Sequence, residues 1–277
     1  MNNPSEVLEL NMNGAIKKTS HPFFKLLVLA MMSGAFIAFG AVASSFAAHN
    51  IKNVGVAKLV AGCIFPVGLM LVIIVGAELF TGNCLISMAV FDKRVSVGKM
   101  IYNLVVVYFG NMIGGVLVAA LTYAAGQWNQ GSNLVGAYTI KVAVGKTGLS
   151  FTQCVASGIL CNVLVCLAVL AAAASKDVTG KTLMSFFIIL AFVISGFEHC
   201  VANMYYLFAG KIAASNTAYV NAAIDAYGLT ADKITNALSL GKIFINNLLP
   251  VTIGNILGGM VFTGLPFWFV NKKKKEN

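Results

Sequence analysis

The stretches GAELFTGN, residues 76–83, and GFEHCVAN, residues 196–203, each sit inside a long apolar run and share a spaced pattern. Gly76 matches Gly196, Glu78 matches Glu198 and Asn83 matches Asn203. A glutamate at the centre of a lipid-facing helix is costly. Irregular backbone at that depth is tolerated only where it is buried in protein or lines a watery cavity. The two stretches therefore predict two broken helices, with half-helix N-termini and freed N–H groups pointing at a shared centre. Such ends carry partial positive charge and favour an anion.

Two more matches follow in the same order. FGNMIGG at 109–115 pairs with IGNILGG at 253–259, and Ser33-Gly34 pairs with Ser157-Gly158. The chain thus reads as two copies of a three-span unit. Three is odd, so the second copy crosses the membrane in the opposite sense. Inverted repeats of this kind place a transport path near the midplane where the copies meet.

Composition points the same way. Of 277 residues, 58% are apolar and 10% are charged, where a soluble domain carries about 25% charge. That excludes an ordinary soluble enzyme, a disordered chain and a nucleic-acid binder. The net charge of +10 is spread between apolar runs, as in the cationic loops of a membrane protein. A hydrocarbon core about 30 Å thick needs about 20 apolar residues of helix. Six stretches qualify: 23–48, 57–90, 101–125, 152–174, 182–208 and 244–270. The first contains AVASSFAA, which looks like a signal cleavage site, but its apolar run exceeds the core of a signal peptide and it has a partner later in the chain.

With a cytoplasmic N-terminus, the inner segments hold twelve basic residues and the outer loops seven, so both termini are expected inside a multi-pass cytoplasmic-membrane protein. Residues 1–22 form a cytoplasmic segment in which 4–18 are either an amphipathic helix at the membrane face or pore mouth, or a frayed tail. Residues 23–270 form one six-helix domain, with halves at about 23–125 and 152–270, separated by a long outer loop at 126–151; a second lies at 209–243. Residues 271–277 form a basic tail whose lysine run would anchor to the inner leaflet. Cys63, Cys84, Cys154, Cys161, Cys166 and Cys200 lie in or beside apolar runs without zinc spacing, so they read as packing thiols. No metal or cofactor is expected.

Glu78 and Glu198 are the only acids within the spans and His199 the only histidine. The glutamates either serve transport or hold loop N–H groups. His199 is either a satisfied core residue or a proton-exchanging group, since imidazole changes charge near neutral pH. Asn162 and Asn255 either bond the imidazole and fix its tautomer or, with Asn111, glue helices together. Lys146, in GKTG, is either a solvated loop charge or a cation folded over the pore mouth to concentrate anions.

With GAELFTGN at 76–83, CNVLVCLAV at 161–169, GFEHCVANM at 196–204 and NLLPVTIGNILGG at 247–259, the chain resembles the formate/nitrite transporter family along essentially its whole length. That family also includes hydrosulfide channels, and the resemblance is to a bacterial, inner-membrane member. It implies a homopentamer of all-α protomers with an aquaporin-like shape, each with its own pore. It places the family's central histidine on His199, the facing threonine on Thr81, the vestibule lysine on Lys146 and the nearby amides on Asn162 and Asn255. It places hydrophobic constrictions on Phe65 and Leu69 towards one side and Phe192 towards the other, with Leu79 near the loop. The expected function is passage of a small monovalent weak-acid anion (formate, nitrite or hydrosulfide), with His199 assisting by transient protonation or through its hydrogen bonds. The alternatives are an aquaporin-like pore for neutral small solutes and an intramembrane enzyme. Metal chemistry would need several ligands, such as an HExxH pair, and Ser195 with His199 lacks an orienting third group.

Overall fold

Backbone polar groups cannot be left unpaired in hydrocarbon, which forces each crossing to be helical. The computed structural model describes residues 1–272, and among these there is helix but no strand. Lys273 to Lys275 of the expected anchor lie outside the described residues.

Twelve helices carry the architecture: α1 (Pro4–Thr19), α2 (Phe23–Ala48), α3 (Val54–Gly76), α4 (Phe80–Phe91), α5 (Val97–Ala124), α6 (Leu134–Thr147), α7 (Phe151–Ala174), α8 (Val178–Ser195), α9 (Cys200–Ala213), α10 (Thr217–Tyr227), α11 (Ala231–Ala237) and α12 (Lys242–Asn271). The six crossings are α2, the broken pair α3/α4, α5, α7, the broken pair α8/α9, and α12. Each break begins with a glycine in the left-handed region, Gly76 at φ 86° and Gly196 at φ 72°, where a side chain would be strained.

The two halves pack alike. α2 crosses α5 so closely that a Cβ on Gly34 would run into the backbone of Asn111. In the second half α7 crosses α12, and a Cβ on Gly158 would lie 2.8 Å from the Val251 carbonyl oxygen. Small residues at these crossings let the backbones approach, and dispersion between them replaces the missing hydrophobic drive.

The regions read as long loops differ from expectation. Residues 126–151 contain α6, and 209–243 contain α10 and α11. These helices are too short to cross a bilayer, so a search for apolar runs of spanning length passes over them. α6 buries Val135, Ala137, Ile140 and Ala143, with Ala143 packed where Gly210 of α9 has no side chain.

α1 is a packed helix. Asn3 and Glu6 form a reciprocal capping box, Pro4 occupies the first turn, and Lys17 and Lys18 sit in the last turn. Its buried face, Val7, Leu8, Met12 and Ala15, packs on Ile86, Met88 and Ala89 of α4 and Leu170 of α7. Asn2 donates from its backbone to Ala174 and from its side chain to Ala173, pairing carbonyls at the end of α7. On the exposed side Arg94 forks onto Glu9 and also pairs with Asp92, which accepts from Trp268 of α12. Hydrogen bonding from Arg94 holds the Glu9 carboxyl below its usual value, and Arg94 itself is raised in return.

Candidate functional site

The breaks consist of Ala77-Glu78-Leu79 and Phe197-Glu198-His199, extended segments whose backbone groups need partners. Those partners are the asparagines of the GNxxGG pair. Asn111 accepts from Phe80 N at 2.9 Å and donates to the Glu78 carbonyl at 2.9 Å and the Ala30 carbonyl at 2.8 Å. Asn255 accepts from Cys200 N at 2.9 Å and donates to the Glu198 carbonyl at 3.0 Å and the Gly158 carbonyl at 2.8 Å. Both amides are fully buried. Each ties a half-helix start to the break before it and to a helix of its own half.

The two glutamates do not hold loop N–H groups, one of the expected alternatives. Each reaches forward to a half-helix asparagine. Glu78 accepts from Asn83 at 2.7 Å and from Lys18 at 3.1 Å. Glu198 accepts from Asn203 at 2.6 Å and from Lys146 at 2.8 Å. The asparagines continue the network: Asn83 donates to Asn103 and Asn203 to Asn247, both at 2.8 Å. Asn103 then donates to the Lys18 carbonyl and Asn247 to the Lys146 carbonyl. A carboxylate is a stronger acceptor than a loop can offer donors for, so it gathers amide and ammonium groups.

These contacts make α1 and α6 equivalent parts of the repeat, one at each mouth. Lys18 is a site residue that sequence reasoning missed. A signal was present: Lys18-Thr19 precedes Phe23, the start of α2, as Lys146-Thr147 precedes Phe151, the start of α7. Asn103 and Asn247 were likewise missed, because an asparagine near a helix end carries no distinctive pattern. Lys146 is a folded-in cation with its side chain 16% exposed, 5.3 Å from the Tyr206 ring, which sets aside the solvated-loop reading.

His199 caps α9. Its Nδ1 accepts the Ala202 N–H at 3.0 Å. That nitrogen therefore carries no proton, and the neutral ring must hold its proton on Nε2. Nε2 lies 2.8 Å from the Thr81 hydroxyl and donates to it. The Thr81 hydroxyl hydrogen is then free to point elsewhere. Both residues are buried, and the bond joins the two halves of the repeat.

Asn162 and Asn255 do not touch the imidazole. Asn162 donates to the carbonyls of Thr81 at 3.2 Å and Asn255 at 2.6 Å, while Asn255 is engaged as above. A buried amide must pair its donors, and the carbonyls of Thr81, Asn255, Gly158 and Glu198 lie within reach.

Two cavities approach the Thr81–His199 bond. The one beside α1 is about 420 Å³ and is lined by Leu69, Leu79, Val72, Glu78, Asn83 and Lys18. The one beside α6 is about 260 Å³ and is lined by Phe65, Phe192, His199, Asn203, Lys146 and Tyr206. This corrects the expected split of the constrictions. Phe65 belongs with Phe192, their rings edge to face at 5.9 Å, and Leu69 belongs with Leu79. Phe65 and Leu69 are one helical turn apart on α3, but Pro66 opens the turn between them, and sequence spacing alone does not assign them to different chambers. The Phe192 ring also lies 6.0 Å from the His199 ring.

A family model described as formate/nitrite transporter matches residues 5–269. A "Probable formate transporter" of Methanothermobacter thermautotrophicus is 37% identical, over 93% of this chain and 92% of that protein. "Formate channel FocA" of Escherichia coli (strain K12) is 33% identical, over 95% of this chain and 92% of that protein. A solved structure named "Pentameric formate channel with formate bound" superposes with a TM-score of 0.79 at 30% identity, covering 91% of this chain and 98% of that one.

Proposed function

This chain belongs to the formate/nitrite transporter family, and on that premise we propose that it conducts small monovalent anions of weak acids, formate first among them, across a cytoplasmic membrane as a homopentamer with one path per protomer. The relatives named as formate transporters and the similar pentameric formate channel support that substrate and assembly. The excess of basic residues beside α1 and in the loops on its side supports an α1 mouth facing the cytoplasm.

The observation that carries the reading is one polar pair, Thr81 and His199, buried between two apolar constrictions, with a lysine–glutamate pair at each mouth. An anion meets Lys18 or Lys146 first, and each lysine draws it out of bulk water. Leu69 with Leu79, or Phe65 with Phe192, then offer no counter-charge. Desolvation disfavours the charged form of an acid, so the solute takes up a proton from water at the mouth before it passes and returns that proton to water on the far side. Nε2–H of His199 and the Thr81 hydroxyl supply the hydrogen bonds of the midpoint. A His199 cation would need a proton on Nδ1, where Ala202 N–H already donates, so assistance comes through hydrogen bonds from a neutral ring. Permanent ions have no such route, which gives selectivity for weak acids.

The reading is tested by reconstituting the full chain in liposomes and following formate, nitrite and hydrosulfide uptake as pH is lowered. Formate flux that rises as pH falls is expected. Glycerol or water flux indifferent to pH, without anion flux, would overturn the reading in favour of a neutral-solute pore.

A further inference from the structure

The mouth beside α1 holds more positive charge than a monovalent anion requires. Lys18 is already matched by Glu78 at 3.1 Å. Lys17 and Lys25 line the same cavity, and among the described residues neither forms an ion pair. His21 lies on the same wall, part-buried. Burial holds its pKa below the usual value; Glu78 opposes this, while Lys25, Lys17 and Lys18 add to it. The ring is thus a hydrogen-bonding group set among cations. Across the molecule the α6 mouth is smaller, about 260 Å³ against about 420 Å³, and among the described residues its unpaired lysine is Lys58 alone.

We propose that the α1 mouth is a binding site for a phosphate-type dianion, held by Lys17 and Lys25 with His21 as a hydrogen-bond donor, and that the bound dianion blocks the path. Two unpaired ammonium groups match two negative charges, and the cavity has room for a tetrahedral oxyanion with water. One proton does not neutralise a dianion, so it cannot follow a monovalent weak acid past Leu69 and Leu79. It stays at the mouth and obstructs both directions of flow. The binding stands on the cavity alone, whereas the block rests on the transport reading above. The same chemistry is offered by free phosphate and by the phosphomonoester headgroup of a lipid such as phosphatidic acid.

Binding is measured by titrating inorganic phosphate at pH 8 into the purified full chain in neutral detergent, with chloride at matched ionic strength as control. A saturable phosphate isotherm is expected. K17Q/K25Q should weaken it about tenfold, which corresponds to about 1.4 kcal/mol. K58Q at the other mouth should leave it unchanged. Equal response to chloride, or unchanged phosphate binding in K17Q/K25Q, would overturn the site. The block is measured as formate flux in oriented vesicles. Phosphate on the α1 face should slow flux at least twofold in the parent and not in K17Q/K25Q, and phosphate on the α6 face should have no effect; equal slowing from both faces would overturn the block. Absence of formate flux in phosphate-free buffer would remove the transport reading while the titration still decides the site. Repeating the titration at pH 8 in nanodiscs containing phosphatidic acid, whose phosphomonoester headgroup approaches two negative charges, and in nanodiscs of phosphatidylcholine separates the sources. Phosphate binding in both upholds the free ion, and its loss only with phosphatidic acid upholds the site with a lipid headgroup as occupant.

Discussion

At the break in the first half, Leu79 occupies the N-cap of the half-helix and offers it no side-chain bond, whereas at the break in the second half His199 occupies the same place and caps through Nδ1. Around that one position the halves match. Asn111 and Asn255 hold the broken backbone with the same three kinds of bond, and Glu78 and Glu198 each gather a lysine and a half-helix asparagine, Glu198 with Asn247 in addition. The lysines differ in reach. Lys18 contacts both Glu78 and Asn83, while Lys146 contacts Glu198, and the Asn203 side-chain oxygen has no partner among the described residues. The scaffold is thus duplicated while the imidazole at its apex is not. On the proposed path, a second imidazole at Leu79 would replace an apolar constriction with a polar one and lower the desolvation barrier on the α1 side.

The comparison is broken most severely at the shared asparagines. N111L and N255L each leave a half-helix N–H and two carbonyls unpaired in the interior, an expected loss of at least about 3 kcal/mol. Both should lower thermal stability in detergent by similar amounts. A large loss in only one would show that the halves are not equivalent.

The next largest effect concerns the apex. H199L makes the second break resemble the first. It removes a helix cap worth about 1 kcal/mol and the bond to Thr81. Formate flux should fall about tenfold, as the loss of about 1.4 kcal/mol at the barrier implies. H199N keeps a side chain able to cap and should fall less. Unchanged flux and pH response in both H199N and H199F would eliminate His199 from the path.

Third come the mouths. K146M leaves Glu198 short of a counter-charge at a site where the lysine side chain is 16% exposed, against 34% for Lys18 in K18M. The more buried pair is screened less. K146M should cost about 2 kcal/mol and K18M about 1 kcal/mol or less by thermal unfolding. The reverse order would contradict the burial argument.

The smallest effect sharpens the contrast between α1 and α6. The Glu9 carboxyl is held below its usual pKa of 4.5 by Arg94. A depressed carboxyl contributes stability that is fully present above its usual value and is lost as pH falls through the lowered one. Asp92 is also lowered: burial opposes this, but bonds from Trp268 and Arg94 prevail. Acidification below about 4.5 should therefore lower the protection factors of α1 amides, measured relative to their intrinsic exchange rates at each pH, with α6, where the described residues form no such exposed clamp, changing less. E9Q should speed α1 exchange at neutral pH. Equal acid response in α1 and α6 would discount the clamp.

Much of the fold was legible from residue types whose cost in lipid is high. Glu78, Glu198 and His199 could not sit on continuous lipid-facing helices, so the breaks and the inverted repeat followed from them. Gly34, Gly110, Gly158 and Gly254 marked the close crossings. Lys18 was harder to find because α1 does not span, and a search built on apolar length begins the repeat at residue 23. α6 was hidden for the same reason. The partners of Asn162 and Asn255 stayed open between the imidazole and neighbouring helices, because an amide in a span must bond something but its sequence does not say what, and the structure takes the second.

The sequence alone determined the six apolar crossings, the two breaks, their opposite sense and the single imidazole between them, since each follows from the free energy of placing a residue type in hydrocarbon. Only the tertiary structure decided which groups satisfy one another. It set Nδ1 of His199 as acceptor and Nε2 as donor, joined Thr81 to it, sorted Phe65 with Phe192 and Leu69 with Leu79, and brought Lys18 and Lys146 to opposite mouths. A hydrogen bond depends on distance and direction between atoms far apart in the chain, and these are fixed only when the helices pack.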